Sequence, residues 1–335
     1  MATRKELLLK RLHEIRLSDG VKSRHLEQQV VDPGLEAIST GPAVTPEVIE
    51  SWHRFETDKT LSDQDLYHLE SIILPKLRPA FDIVGDSYET LPDQWKDIND
   101  RRTLIEPLIR GIGRLNLVGH PSLNRVGTAF ICGNSILITN RHVAQYFTQG
   151  IGEGAQLSFM PGITPSLDLK QEVGSSAAVI VSITNPIVAL TDWDIAVFHV
   201  SGMPSNVEPL PLSASEPASL EEGVAAVIGY PAFDPADDLV NQIQIFRSTF
   251  DKKRLQPGRL KGMKPATSFG QNVQALAHDC STLGGNSGSA VIDVETGRVV
   301  GIHFAGQRLV ANYAVPTWVL ADHPQLNNIG LKFAT

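Results

Sequence analysis

Val126-Gly127-Thr128-Ala129-Phe130, continued by Ile136-Leu137-Ile138-Thr139-Asn140-Arg141-His142-Val143-Ala144, reads as two strands joined by the turn Gly133-Asn134. That arrangement delivers a histidine just past a strand end, where a short helix can hold it. Two later stretches have the same character of a polar residue at the end of an apolar strand. Thr191-Asp192-Trp193-Asp194-Ile195-Ala196-Val197 sets a carboxylate immediately before an apolar run. Thr282-Leu283-Gly284-Gly285-Asn286-Ser287-Gly288-Ser289-Ala290-Val291-Ile292 sets a serine in a glycine-rich turn that leads into a strand.

These residue types suit one another chemically. A serine hydroxyl is a poor nucleophile at neutral pH unless an imidazole takes its proton, and the imidazole in turn needs a carboxylate to fix its tautomer and stabilise its cation. Glycines beside the serine let backbone N–H groups converge on one point, where they would stabilise an oxyanion. Gly285 and Ser287 are the expected donors of those N–H groups.

Outward from these stretches, the chain has two textures. From about Gly113 onward, short apolar or β-branched runs occur at 113–118, 126–131, 135–139, 156–160, 177–183 and 194–200. A second set follows at 223–229, 242–248, 273–277, 290–294, 298–304 and 312–315. Turn-forming pairs such as Pro161-Gly162 and Thr296-Gly297 separate many of them, the pattern of a barrel or sandwich. Before residue 112 the period is helical. Thr45-Pro46-Glu47 is a helix start ahead of Val48, Trp52 and Phe55, and Ser62 with Asp65 repeats the capping logic before Leu66, Leu69 and Ile72. A third helical stretch from Asp97 to Glu106 is expected to stop at Pro107.

The motifs G-T-A-F, L-I-T-N-R-H-V, D-I-A-V and G-N-S-G-S, in the order His, Asp, Ser, resemble the bacterial trypsin-like (chymotrypsin-fold) serine peptidases, and are similar in pattern to glutamyl endopeptidases and HtrA-type proteases. The resemblance covers roughly residues 112–320. It implies a mainly β fold of two six-stranded antiparallel β-barrels of chymotrypsin type, about 112–210 and 211–320, with an active site between them. With residues 1–111 as a helical N-terminal module and 112–335 as the peptidase domain, it implies a serine endopeptidase with the triad His142, Asp194 and Ser287. Asp192 is the rival carboxylate, but the family's acid directly precedes the aliphatic strand, which favours Asp194. An α/β-hydrolase is disfavoured, because its serine comes first in the triad and sits in G-x-S-x-G. The opposing reading is a non-catalytic or tightly restricted peptide-binding module recruited by the helical region.

Asn286 stands where animal digestive proteases carry an aspartate that pairs with a new N-terminal ammonium, and an amide cannot make that charge-assisted bond. Control is therefore expected elsewhere, with residues 1–111 as the candidate regulatory or partner-binding part. Thr282 and His303, the latter in Gly301-Ile302-His303-Phe304, match positions that glutamyl endopeptidases use to hold an acidic side chain; Glu, Asp or Gln before the scissile bond is the implied preference. Ser281 near the expected pocket base disfavours Arg or Lys there.

Composition narrows the rest. The chain has 335 residues, 42% hydrophobic and 20% charged, with a net charge of −8, which argues against a general nucleic-acid binder. No run approaches the roughly 18 apolar residues of a membrane span. Met1 to Leu17 reads as an amphipathic helix, not a signal peptide, so a cytoplasmic location is expected. Cys132 and Cys280 cannot build a disulfide framework and are expected to be small, at least half-buried thiols. Neither a metal nor an organic cofactor is expected; His278 near Cys280 lacks a second ligand pair. The basic run Arg247, Lys252, Lys253, Arg254, Arg259, Lys261 and Lys264, with Pro257-Gly258, reads as a solvated loop or a docking patch for an acidic partner.

Overall fold

The computed structural model describes residues 50–51, 53–55, 57, 60–62, 78–234, 239–307 and 311–335. The chain divides into two compact units, Met1–Ala80 with Pro235–Thr249, and Phe81–Asp234 with Phe250–Thr335. In the first, Phe55 and Leu61 are buried; the expected helix over Leu66 to Ile72 lies outside the described residues.

The second unit contains twelve principal strands. The first six are β1 (Ile112–Val118), β2 (Arg125–Gly133), β3 (Ile136–Thr139), β4 (Thr164–Asp168), β5 (Ile180–Ala189) and β6 (Ala196–Ser201). The next six are β7 (Glu221–Gly229), β8 (Arg254–Ser268), β9 (Gln271–His278), β10 (Ala290–Asp293), β11 (Arg298–Gln307) and β12 (Ala311–Pro316). All neighbours pair antiparallel, and each set closes on itself. In the first ring the order is β1-β2-β3-β6-β5-β4, returning from β4 to β1. The second ring runs β7-β8-β9-β12-β11-β10 and returns to β7, the same order within the set. Two six-stranded barrels with one shared topology result, though no sequence repeat announces it. Closure leaves no open edge in either ring.

Side-chain alternation explains how the barrels stack. On β2, Ala129 and Ile131 point into the first barrel with Leu115, Leu137, Leu167 and Phe198. The intervening Phe130 and Cys132 point the other way, into a cluster that also holds Ile138, Ile228, Leu255 and Ile292. Successive residues of a strand face opposite sides, so one strand contributes to two cores and its whole span is apolar. Burying one such Leu, Ile or Phe contributes roughly 1.5–3 kcal/mol.

Three departures from the expected elements have physical causes. Residues 242–248 are not a strand: Leu239–Phe246 is a helix. Gln242-Ile243-Gln244-Ile245 alternates as a strand would, but Gln242, Ile245 and Phe246 are the buried positions and Ile243 is exposed, a helical spacing. The strand that completes the second barrel is instead β8, within the supposed basic loop. At its start Arg254 and the preceding Lys253 are fully buried, with Lys253 Nζ donating to the carbonyls of Ile109 and Leu169 at 2.9 and 2.7 Å. Its Pro257 is accommodated in the β7 pairing, and Gly258 lies against Cys280, where a Cβ would be 2.5 Å from the Cys280 amide nitrogen. In the first barrel the expected run 156–160 yields only Ser158–Phe159, and β4, with Pro165 inside it, closes the ring.

The part ahead of β1 is not purely helical. Phe81–Val84 and Ser87–Tyr88 form a hairpin whose first strand pairs with β8. The amides of its turn, Gly85 and Asp86, donate to the buried Glu172 carboxylate at 2.6 and 3.3 Å. Helices Lys96–Asp100 and Arg102–Ile109 follow; the second runs through Pro107 rather than stopping before it. In so short a helix the proline removes one i→i−4 bond near the end, and buried Ile105, Leu108 and Ile109 hold the turn against the core. The compact unit with the barrels thus begins at Phe81, ahead of the expected boundary at 112.

Candidate active site

Thr139, at the end of β3, pairs with Ala196 at the start of β6, so the residues just beyond β3 and just before β6 meet at one rim of the first barrel. Arg141–Ala144 forms a single helical turn beyond β3 and carries His142. Asp194 lies in the 190–195 turn, which Leu190 closes by donating its N–H to the Ile195 carbonyl at 2.9 Å. Asp194 Oδ2 lies 2.6 Å from His142 Nδ1, and Oδ1 accepts the backbone N–H of His142 at 3.0 Å. One carboxylate thus holds both the ring and the main chain of the histidine. The Asp194 side chain is only 4% exposed against 35% for His142, so the carboxylate is shielded while the imidazole reaches the cleft. Asn140, fully buried, secures the arrangement by donating Nδ2–H to the Asp194 carbonyl at 2.9 Å.

Asp192 does not compete. It is exposed and faces His323 at 3.2 Å, away from His142. The neighbouring Arg141, which no sequence motif singled out, supports this turn. Its buried guanidinium donates to the carbonyls of Leu190 and Thr191 and lies 3.3 Å from the centre of the Phe269 ring.

The serine turn is fixed by its carbonyls. Gly284 O accepts from the Ala232 amide at 2.6 Å, and Asn286 O accepts from the Ser289 amide at 2.9 Å. In a trans peptide the C=O and N–H point opposite ways, so these two bonds turn the Gly285 and Ser287 amides to the other side. Among the described residues neither amide has an acceptor. Gly285 O, in turn, accepts from Thr128 Oγ1 at 2.7 Å. The backbone of Gly285 is left-handed, φ +85°, and a Cβ there would stand 2.4 Å from the Tyr230 carbonyl oxygen. Only glycine fits that position.

β2 links the serine turn to the helical turn that carries His142. The Thr128 amide donates to Ser287 O at 2.9 Å, and the neighbouring Gly127 is flanked by Ser287 O on one side and Val143 on the other. Among the described residues no hydrogen bond closes Ser287 Oγ onto His142. Such contacts are commonly long without substrate and tighten in the complex.

Asn286 is fully buried and makes a reciprocal amide pair with Gln256 of β8, both bonds 3.1 Å, while Ser289 Oγ donates to its Oδ1 at 3.3 Å. As the amide at this position implies, Asn286 is satisfied by a neutral side-chain pair, and no new chain terminus is needed.

A trypsin-like peptidase domain profile matches residues 127–302, a span that contains His142, Asp194 and Ser287. The chain belongs to the trypsin-like peptidase domain family. It is 26% identical over 257 residues to a probable serine protease of Lysobacter enzymogenes, an alignment covering 68% of this chain and 65% of that relative. The match therefore spans less than two thirds of the relative's length. Among solved structures, the Rv3671c protease of M. tuberculosis in its active form is 16% identical, with a TM-score of 0.45 over 75% of this chain and 93% of that one. Deg5 gives 16% identity and a TM-score of 0.45, covering 69% of this chain and 94% of its own.

The trypsin-like domain also contains the expected specificity residues. His303 on β11 is buried, its Nδ1 3.2 Å from His278 Nε2, a contact the sequence left without a role. Burial, with smaller contributions from His278 and His142, pushes the His303 imidazole well below its ordinary value, so it is uncharged at neutral pH. Thr282 is half-buried in the turn before Ser287, its hydroxyl 3.8 Å from the side-chain position of Gly306 on the same strand as His303. Cys132 and Cys280 are buried free thiols, and burial raises the Cys132 thiol. Among the described residues no cluster of His, Cys, Asp or Glu could hold a metal ion, and no helix is long and apolar enough to cross a membrane.

Proposed function

We propose that this chain is a serine endopeptidase that cleaves peptide bonds through an acyl-enzyme. Ser287 attacks the scissile carbonyl, and His142 takes the hydroxyl proton and returns it to the leaving amine. Asp194 holds Nδ1–H and stabilises the imidazolium that forms. The Gly285 and Ser287 amides receive the oxyanion. The observations that carry this reading are the Asp194–His142 contact at 2.6 Å and a serine turn whose Gly285 and Ser287 amides have no acceptor among the described residues.

For the residue before the scissile bond, Thr282 and His303 support a side chain that accepts hydrogen bonds. Because His303 is held neutral, the interaction is a hydrogen bond rather than an ion pair, and Gln is accommodated as well as Glu or Asp. Met1–Ala80 with Pro235–Thr249 forms a compact unit of its own, which supports its reading as a module that binds a protein partner or regulates the barrels.

Mass spectrometry of a proteome-derived peptide library treated with wild type and with Ser287→Ala tests both levels. The expected outcome is Ser287-dependent cleavage after Gln, Glu or Asp. Absence of Ser287-dependent products would overturn the peptidase reading, and basic residues dominating before the cut would overturn the side-chain preference alone.

A further inference from the structure

Beside the serine turn lies a pocket of about 370 Å³ that borders Gly285 and Gly127 but none of Thr282, Leu283 or His303. A substrate whose acyl side points toward Thr282 and His303 therefore sends its leaving-group side along β2 and into this pocket. The walls are largely apolar, with Leu123, Val126 and Tyr230 among them, and set into them are two guanidinium groups, Arg114 from β1 and Arg125 at the start of β2. Tyr146 lines the pocket as well and is 44% exposed.

The two arginines are not equivalent. Arg125 Nε and Nη2 each donate to one carboxylate oxygen of Asp251, a two-point ion pair that neutralises its charge. Arg114 donates Nε–H to Asn116 Oδ1 at 2.8 Å and Nη1–H to the backbone carbonyl of Asp251 at 3.1 Å. Both acceptors are uncharged, and among the described residues no carboxylate forms an ion pair with Arg114. Two cations against one carboxylate leave the pocket at +1, in a chain of net charge −8. Asp251 and Asp168 act on Arg114 only from beyond ion-pair distance, and a half-buried guanidinium with spare N–H donors and no directly paired carboxylate among the described residues is a site for an incoming one.

We propose that this pocket is a leaving-group subsite that takes a Glu or Asp side chain of the substrate, with Arg114 as its specificity-determining residue. The proposal rests on the peptidase reading above and adds a second recognition point on the far side of the scissile bond. Arg125 and Asp251 form the floor: Asp251 belongs to the second barrel's approach to β8 and is held by its own amide bond to Pro231 O at 2.7 Å, so the clamp fixes Arg114 in place across the barrels. The competing role for Arg114, a purely structural tie, predicts loss of stability without any change in charge preference.

The test uses the full chain and matched fluorogenic peptides with a common acyl side and Glu, Gln or Lys at each of the first two leaving-group positions. The readout is the Glu-to-Gln ratio of kcat/KM within each protein, so overall rate changes cancel. Wild type is expected to prefer Glu at one position by about 10-fold or more, the scale of a charge-assisted hydrogen bond. Arg114→Gln is expected to bring the ratio close to one, and Arg114→Lys to restore part of it. A wild-type ratio near one, or a preference that survives in folded Arg114→Gln, overturns the proposal. Binding of the same peptides to Ser287→Ala, followed by fluorescence anisotropy, separates this from the parent reading. If no peptide is cleaved, the peptidase reading falls; tighter binding of the Glu peptide that disappears on adding Arg114→Gln still supports the subsite, and equal binding overturns it.

Discussion

Two adjacent glycines, Gly284 and Gly285, separate an oxyanion site from a merely flexible loop. Replacing Gly285 by Ala puts a methyl group 2.4 Å from the Tyr230 carbonyl oxygen and 3.1 Å from Ala232 Cβ, at a φ of +85°. A non-glycine residue in that left-handed region costs roughly 1–2 kcal/mol before any clash is counted. The chain around that carbonyl is tied on both sides, by the Tyr230 amide to Thr128 Oγ1 at 3.1 Å and by the Asp251 amide to the Pro231 carbonyl at 2.7 Å, which limits its retreat. The turn must therefore rotate, carrying the Gly285 N–H off its target. Loss of one such donor lowers kcat by about 100- to 1,000-fold, or roughly 2.7–4 kcal/mol. At Gly284 the same added methyl group has no heavy atom of the described residues within 4 Å, and φ is not positive. Gly284→Ala is expected to keep kcat within about 3-fold, far less than the loss of an oxyanion donor. Steady-state kinetics on one peptide substrate, with urea unfolding of each variant to confirm folding, makes the comparison. Equal effects of the two substitutions, or a Gly285→Ala enzyme within a few-fold of wild type, would refute the assignment of that amide.

Two further outcomes follow from the same geometry. Asp194→Asn should lower kcat by about 10,000-fold, since an amide opposite Nδ1 selects the wrong tautomer; Asp192→Asn, whose partner is His323, should leave kcat nearly unchanged in the same assay. Because the folded-state value of His303 lies well below 6.5, the unfolded chain binds a proton below that pH that the native chain refuses. Stability contributed by neutral His303 is thus present above pH 6.5 and lost as pH falls, by up to about 1.4 kcal/mol per unit. The stability gap between wild type and His303→Gln, from urea titrations between pH 5 and pH 8, should narrow toward acid; a gap independent of pH contradicts the neutral assignment.

The positions proposed for the triad stood out in the sequence because each is a local event: a polar residue set against a strand end or in a glycine turn, with little dependence on distant contacts. The count of strands per barrel was also legible, yet one member of each set was misplaced. Both true strands, β4 and β8, contain proline, and β8 starts among charges whose burial is made tolerable by partners far away in sequence: Ile109 for Lys253, just before the strand, and Phe81 for Arg254, its first residue. Nothing local records those partners. The preference for Asp194 over Asp192 needed only which carboxylate stands at the start of the apolar run Ile195-Ala196-Val197, whereas the Asn286–Gln256 pair and the Arg141–Phe269 contact join residues from separate strands and loops and emerge only in three dimensions. For the helix Leu239–Phe246, alternating Gln and Ile satisfied both periods, and burial decided between them.

The most direct measurement is reaction of the intact, folded protein with a fluorophosphonate probe, followed by peptide mapping. An activated Ser287 predicts a single phosphonylated site on the peptide containing residues 282–292, abolished by Ser287→Ala and strongly slowed by His142→Ala. Folded wild-type protein that stays unlabelled, or labelling that persists in Ser287→Ala, would contradict the account.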